Sequence, residues 1–223
     1  MGNAGDTWLQ QARHPLVWSS IVSAYPLMAH WIDAEPTTDV QVMARTPDRL
    51  TRAVVDGRPV VTGLVSIGDA AAATSPAYGR GATLAAMAAV CLRDVLREVA
   101  VSEPIEFAHR WHDRVGNVVA PFVHETLRAA RHRHVEIEAQ IVGRPYETDD
   151  PTWHLGQAVG RAAAHDPELL RAAMGIAAVF DLGSDVAQRQ TLMRRLEQLG
   201  DLPGRPGPTR AELEAGVLAL SAA

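Results

Sequence analysis

The fold is decided by residues 64–83, which read Leu-Val-Ser-Ile-Gly-Asp-Ala-Ala-Ala-Ala-Thr-Ser-Pro-Ala-Tyr-Gly-Arg-Gly-Ala-Thr. An apolar run at 64–67 predicts a strand that is buried on both faces, as in a parallel sheet, and it ends at Gly68-Asp69. A loop that contains one proline and two glycines then leads into a long amphipathic pattern from Ala82. This order of strand, loop and helix predicts a carboxylate beside the N-terminus of a helix.

The chemistry of this segment suits a flavin nucleotide. The carboxylate of Asp69 would accept charge-assisted hydrogen bonds from ribityl or sugar hydroxyls. Gly79 and Gly81 permit backbone angles closed to other residues and the close approach of a flat ring. The free N–H groups and the dipole of a helix N-terminus stabilise a nearby negative charge by about 0.3–1 kcal/mol. An effect of this size would tune a cofactor rather than create a reaction. The structural alternative is a tight strand-to-helix connection in which Asp69 caps the helix.

Two segments of the chain, Gly68–Ala71 and Pro76–Gly81, carry a resemblance to a known family. They are similar to the second flavin motif of the FAD-dependent monooxygenases and related reductases and halogenases, the p-hydroxybenzoate hydroxylase superfamily. The resemblance implies FAD as the cofactor, with the motif's aspartate on the ribityl chain and the loop and helix start over the isoalloxazine ring. The implied cofactor-binding residues are Gly68, Asp69, Pro76, Gly79, Arg80, Gly81, Ala82 and Thr83.

The chain departs from the family in two places. Many members have a histidine two residues after the Gly-Asp-Ala start, where this chain has Ala72, so a role tied to that histidine is absent. The family also opens with a Gly-x-Gly-x-x-Gly unit that holds the pyrophosphate, and no such spacing occurs in this sequence. We therefore expect the C-terminal portion of a longer flavoprotein: a split gene product, a truncated reading frame or a descendant that lost the cofactor.

The predicted fold is α+β and mostly α-helical, the C-terminal fragment of a flavin monooxygenase-like α/β fold without its N-terminal dinucleotide-binding unit. Residues 1–63 are interpreted as the remnant of a substrate-binding domain, 64–100 as the strand and helix of the flavin motif, and 101–223 as a helical C-terminal region.

Short strands are predicted at Thr38–Met43, Leu50–Val55 and Pro59–Ile67, with an Asp56-Gly57 hairpin turn. The predicted helical segments are 7–32 in pieces broken at His14-Pro15 and Tyr25-Pro26, 82–99, 104–143 with a bend at Pro121, Trp153–Ala164, Pro167–Val179 with Asp166 as N-cap, Asp185–Gly200, and a final helix opened by a Thr209–Glu212 capping box.

Composition limits the class of protein. The 223 residues are 47% hydrophobic and 21% charged, which is typical of a globular protein. The net charge of −5 argues against nucleic acid as a partner. A single cysteine fits a cytoplasmic location. No apolar run reaches the roughly 18 residues that span a bilayer, and no signal peptide or myristoylation pattern is found.

Other candidate residues carry weaker signals. His109 and His112 lie three residues apart on a predicted helix, but no third ligand follows at metal-binding spacing, so a solvated or capping role is favoured and no metal is predicted. The basic run from Arg128 to His134 is typical of a solvated face. Cys91 falls on an apolar helix face and is interpreted as a core residue. No residue is assigned as a general acid, base or nucleophile.

Two functions remain open at this point. The first is the C-terminal part of an FAD-dependent oxidoreductase of monooxygenase type; the resemblance implies that reduced flavin and oxygen hydroxylate an apolar or aromatic small molecule. The second is a non-catalytic helical interaction module derived from such an enzyme. In either case the expected partner is a second copy of the chain or a separately encoded N-terminal half. An exposed apolar face in place of the missing sheet would favour the second function.

Overall fold

A computed structural model describes residues 6–42, 48–204 and 207–221 of the chain. Helices dominate the described residues, and the strands there are four two-residue segments paired in two small antiparallel sheets. The prediction of an α+β fold that is mostly α-helical is therefore confirmed.

The chain divides into two compact units. The terminal unit contains Met1–Arg45, Arg133–Thr148 and Pro203–Ala223, and the central unit contains Thr46–His132 and Asp149–Leu202. The two units are defined by contacts, and their boundaries differ from the predicted domain boundaries at residues 63 and 100. The predicted boundaries describe descent from a longer fold, so they stay a prediction.

The two small sheets both lie in the central unit. Strand β1 (Arg49–Leu50) pairs with β4 (Ala72–Ala73), and β2 (Val54–Val55) pairs with β3 (Arg58–Pro59). The β2–β3 turn has positive φ at both central residues, 49° at Asp56 and 71° at Gly57. Two such angles are the requirement of a type I′ turn, so the predicted Asp-Gly hairpin is confirmed.

Two predicted strands are absent. No strand forms at residues 38–42, where the chain bends instead; Met43, the end of that prediction, lies outside the described residues. The predicted buried strand at 64–67 is also wrong: the segment has no regular secondary structure and no strand partner, and Leu64 is 63% exposed. Its apolar sequence suits a parallel strand, but a strand needs hydrogen-bonded neighbours, and both sheets of the described chain consist of other residues.

The helices cover most of the rest of the described chain. Short 3₁₀ segments at Leu9–Arg13 and Ala29–Asp33 flank α1, so the predicted breaks at His14-Pro15 and Tyr25-Pro26 are confirmed. The α-helices are α1 (Pro15–Ser23), α2 (Gly81–Glu98), α3 (Pro104–Val118), α4 (Ala120–Ile141), α5 (Pro151–Ala162), α6 (Pro167–Ala177), α7 (Gly183–Ala187), α8 (Gln190–Leu199) and α9 (Arg210–Ser221).

Two long predicted helices are divided. The helix expected to bend at Pro121 is broken at Val119, between α3 and α4, because a proline in the first turn of a helix is tolerated whereas one in its interior is not. The helix predicted from Asp185 to Gly200 is two helices, α7 and α8. The second ends at Gly200, as predicted, and the φ of that glycine is 66°.

The core of the central unit is built on one stripe of α2. Leu84, Ala88, Cys91 and Val95 recur at helical spacing and are all buried, and α2 packs against α3 through Trp111. Cys91 is thus confirmed as a core residue. A second cluster joins α5, α6, α7 and α8 around Leu169 and Val186, both fully buried.

The terminal unit brings together the two ends of the described chain. Helix α9 packs on α1, and Arg210 at the start of α9 binds Asp6 through both terminal nitrogens of its guanidinium, at 2.6 and 2.9 Å. The Thr209–Glu212 capping box is confirmed by a hydrogen bond from the Thr209 N–H to Glu212 Oε2 at 2.7 Å and a return bond at 3.3 Å. None of the helices described in either unit combines the length and the apolar character that crossing a membrane requires.

Candidate functional site

The Gly-Asp turn (Gly68–Ala70) lies on the first turns of α2. Gly68 has a φ of +59°, a left-handed angle that glycine adopts without strain, and it begins a single 3₁₀ turn. A Cβ added to Gly68 would lie 3.9 Å from the Cβ of Ala85, and one added to Gly81 would lie 4.0 Å from Oδ1 of Asp69. The predicted juxtaposition of this carboxylate and the helix start is therefore present.

The carboxylate of Asp69 is exposed and uncommitted. Within residues 6–42, 48–204 and 207–221 its side chain forms no hydrogen bond or ion pair, so it does not cap α2. It carries an acceptor pair beside the start of α2 that a ligand hydroxyl could reach.

Strand β1 and Thr51, the residue that follows it, fix the backbone of the turn from its other side. Arg49 donates from Nη2 to the carbonyl of Asp69 at 3.1 Å, and Thr51 donates from Oγ1 to the carbonyl of Ala70 at 2.9 Å. The N–H of Thr51 also bonds to the carbonyl of Ala71 at 2.7 Å. These three bonds occupy backbone carbonyls and leave the Asp69 carboxylate free.

The glycine loop (Pro76–Gly81) supplies the other wall of the candidate site. Its first residues form a 3₁₀ turn that ends at Gly79, whose φ of 66° is again left-handed. Among the residues that the structure describes, no side chain caps α2, so the first N–H groups of the helix, those of Gly81, Ala82 and Thr83, have no capping partner there. Asp69, Pro76, Gly79, Ala82 and Thr83 are all exposed.

Arg80 was predicted to bind the cofactor, but its side chain points into the interior of the central unit. It is only 7% exposed, and it donates from Nη1 to Oγ1 of Thr126 and from Nη2 to the carbonyl of Ile176, both at 2.8 Å. Burial lowers the pKa of this guanidinium, while the charge of Glu125 opposes the shift. The side chain is therefore engaged inside the central unit, and only the backbone of Arg80 belongs to the loop surface.

A cleft of about 680 Å³ lies between the β2–β3 hairpin, the segment 60–67 that follows it and α3. Its lining includes exposed apolar side chains of that segment, with Val60 67% and Leu64 63% exposed. His109 and His112 reach the same cleft from α3. Among the described residues no group of three or more histidine, cysteine or acidic side chains is arranged to hold a metal ion.

The arrangement offers both hydrogen-bond acceptors and hydrogen-bond donors to a ligand. An exposed carboxylate, a left-handed glycine and uncapped helix amides meet at one place, which suits the polar edge of the ring and the ribityl hydroxyls. Nothing in the sequence has the glycine spacing that would hold the pyrophosphate. The site therefore combines a carboxylate acceptor with helix amide donors, without a glycine loop of pyrophosphate-binding spacing.

Sequence reasoning missed two features of the central unit. The first is Thr126, fully buried and bonded to Arg80; a lone threonine on a helix carries no signal that would reveal this role. The second is Asp150, which caps α5 and accepts a hydrogen bond from His132 at 2.9 Å, with His132 stacked on Trp153. Here a signal existed, because Asp150-Pro151 repeats the Asp166-Pro167 pattern from which the cap of α6 was predicted.

Comparison with known proteins returns no match: no family model, no curated protein and no solved structure is similar to this chain.

Proposed function

We propose that this chain is the C-terminal part of an FAD-dependent oxidoreductase of the monooxygenase type, incomplete for catalysis alone. The observation that carries the proposal is the exposed, unpaired carboxylate of Asp69 beside the uncapped start of α2. A structural connection with Asp69 as the cap would use that carboxylate on an α2 amide, and no such bond is present in the described chain. The resemblance of the two motif segments supports flavin as the ligand.

In this proposal each part of the site has its own task. Asp69 accepts hydrogen bonds from ribityl hydroxyls, and the amides of Gly81, Ala82 and Thr83 face the electron-rich edge of the ring. Gly68 and Gly79 hold the two flanking turns in left-handed conformations. The flavin, when bound, supplies the redox chemistry, and an apolar or aromatic small molecule is the proposed substrate.

The missing half of the site is proposed to come from another polypeptide. The segment 60–67 exposes Val60, Val61, Leu64 and Ile67, a density of apolar surface that a larger sheet would bury. A separately encoded N-terminal half with a pyrophosphate-binding loop would provide both that sheet and the adenosine site. A second copy of this chain would cover the surface but would not provide the loop.

Flavin titration tests the proposal. Because the adenosine end has no built contacts here, riboflavin and FAD should bind the isolated chain with affinities within about threefold of each other. Asp69→Asn should weaken both by about tenfold or more, since a hydrogen bond to a charged group is worth about 1.5–3 kcal/mol. The measurement is quenching of flavin fluorescence at constant pH.

Asp33→Asn is the matched control, an exposed aspartate of the terminal unit without a partner in the described chain. It should leave both affinities unchanged. Equal affinity of the wild type and the Asp69→Asn variant would show that the site is assigned to the wrong residues. Absence of binding by the correctly folded wild type would remove the autonomous flavin site.

The second candidate function is a non-catalytic helical interaction module derived from a flavoprotein. It is favoured by the same exposed segment, because an apolar surface of this kind marks interaction sites. A chain that binds no flavin yet sediments as a concentration-dependent dimer, with Leu64→Asp restoring the monomer, would select this function over the first.

A further inference from the structure

We infer that Arg80 is a positioning residue: its buried guanidinium ties the glycine loop to α4 and α6, so that the helical region sets the conformation of the candidate flavin site. The consequence for a cofactor rests on the proposed function. The ordering of the loop itself does not, and it is tested without any ligand.

The contacts of Arg80 reach far along the chain. Arg80 immediately precedes α2, and its two terminal nitrogens bind Thr126 of α4 and the carbonyl of Ile176 in α6, both at 2.8 Å. These partners lie 46 and 96 residues away in sequence. One side chain thus fastens the residue between Gly79 and Gly81 to two helices that belong to neither wall of the site.

The partners are suited to a buried cation. Ile176 lies in the last turn of α6, where the helix dipole is negative, and its carbonyl accepts from Arg80 in addition to the N–H of Val179 at 3.3 Å. Thr126 Oγ1 donates its own proton to the carbonyl of Phe122 at 2.7 Å, which leaves its lone pairs to accept from Arg80. Glu125, the neighbouring acidic residue, fixes the next turn by accepting from the N–H of Gly183 at 2.7 Å.

The guanidinium also contacts the loop that it fastens. Its central carbon lies 5.9 Å from the centroid of the Tyr78 ring, within the range of a cation–π contact. Gly79, between Tyr78 and Arg80, has no side chain and a left-handed φ, so it contributes little stiffness of its own. We therefore assign the order of this loop to Arg80 rather than to the glycines.

Hydrogen–deuterium exchange of the full chain tests this without ligand. Lysine keeps the charge but lacks the planar fork that serves two acceptors. Arg80→Lys should accelerate exchange of the hydrogen-bonded amides of Tyr78, Gly79 and Leu84 by about tenfold or more, while α8 stays within about twofold of the wild type. Arg97→Lys, the same change at an exposed position of α2, should alter neither segment.

Two variants at Thr126 test the same contact independently, in case the Arg80 variant misfolds. Thr126→Val removes the acceptor oxygen at nearly constant shape and should reproduce the acceleration at the Tyr78, Gly79 and Leu84 amides. Thr126→Ser keeps the hydroxyl and should resemble the wild type.

Unchanged exchange of the Tyr78, Gly79 and Leu84 amides in both Arg80→Lys and Thr126→Val, or equal acceleration over the whole central unit, would overturn the inference. A failed flavin titration would leave this result intact, so the two proposals fail separately. If flavin does bind, Arg80→Lys should weaken riboflavin by about tenfold, whereas Arg97→Lys should not.

Discussion

At the scale of single residues, Asp6 and Arg210 form an ion pair of the terminal unit with two hydrogen bonds between the side chains. Asp6 is 4% exposed, and the two hydrogen bonds from Arg210 hold the pKa of its carboxyl below the usual range against the opposing effect of burial. The same bonds raise the pKa of Arg210, whose guanidinium also stacks on Trp8 at 5.3 Å and binds Glu214 at 2.7 Å. The pair therefore joins α9 to the N-terminal segment.

The depressed pKa of Asp6 predicts how stability depends on pH. A carboxyl with a lower pKa in the folded state stabilises the fold above its unfolded pKa of about 3.9, and this contribution disappears as the pH falls through the folded value. Asp6→Asn should therefore cost about 1.5–3 kcal/mol at pH 7 and progressively less below about pH 4. The measurement is the free energy of unfolding by urea at each pH.

Asp39→Asn, at an exposed position of the same unit, is the control. Its effect on the free energy of unfolding should be the same at pH 7 and below about pH 4. A cost of Asp6→Asn that stays constant down to pH 2 would contradict the assignment of the shift to this pair.

Asp69 and Arg80 show what a sequence reveals at the residue scale. The position of Asp69 follows from local order alone, because a turn that leads into a helix places its carboxylate near the helix start. The burial of Arg80 depends on α4 and α6, which reach it only in the folded chain. A local pattern therefore predicts the first residue's surroundings and not the second's.

At the scale of elements, aspartate–proline pairs begin two helices of the central unit. Asp150 Oδ1 accepts from the N–H of Thr152 at 2.8 Å at the start of α5, and Asp166 Oδ1 accepts from the N–H of Glu168 at 2.8 Å at the start of α6. Asp150 also binds His132; burial would raise the pKa of its carboxyl, but this bond and the helix amides lower it below its usual range.

Loss of the Asp150 cap should be measurable in isolation. Asp150→Ala removes the acceptor for the amides of α5 and should cost about 0.5–2 kcal/mol of unfolding free energy, whereas Asp150→Asn keeps a good cap and should cost less. Urea unfolding followed by circular dichroism gives both values. Equal losses in the two variants would show that the charge toward His132, rather than the cap, stabilises this helix start.

The segment 64–67 shows the limit of prediction at this scale. Its apolar run predicts a buried strand, because the sequence pattern indicates the structure that a segment adopts when neighbouring strands are present. Strand formation also needs a neighbour to accept and donate hydrogen bonds, and the described sheets provide none for this segment. Amphipathic helices such as α2 are predicted well because their backbone bonds are internal and only one face needs a partner.

At the scale of the whole molecule, the sequence predicted the helical class, most helix starts and the turn-and-helix geometry of the candidate site. It could not predict the division into terminal and central units, because that division depends on contacts between residues more than a hundred positions apart, such as Asp6 and Arg210. The flavin assignment rests on local geometry together with a resemblance, and it stays a proposal about a larger assembly.

The most direct test of the central claim is a map of where flavin protects the chain. Hydrogen–deuterium exchange of the wild type should be compared with saturating riboflavin, with saturating ADP and with neither. We expect riboflavin to slow exchange of the amides of Gly81, Ala82 and Thr83 and to leave α8 unchanged, and ADP to have no effect. Protection by ADP at those amides, or no protection by riboflavin there, would contradict the claim that Asp69 and the start of α2 form a flavin site.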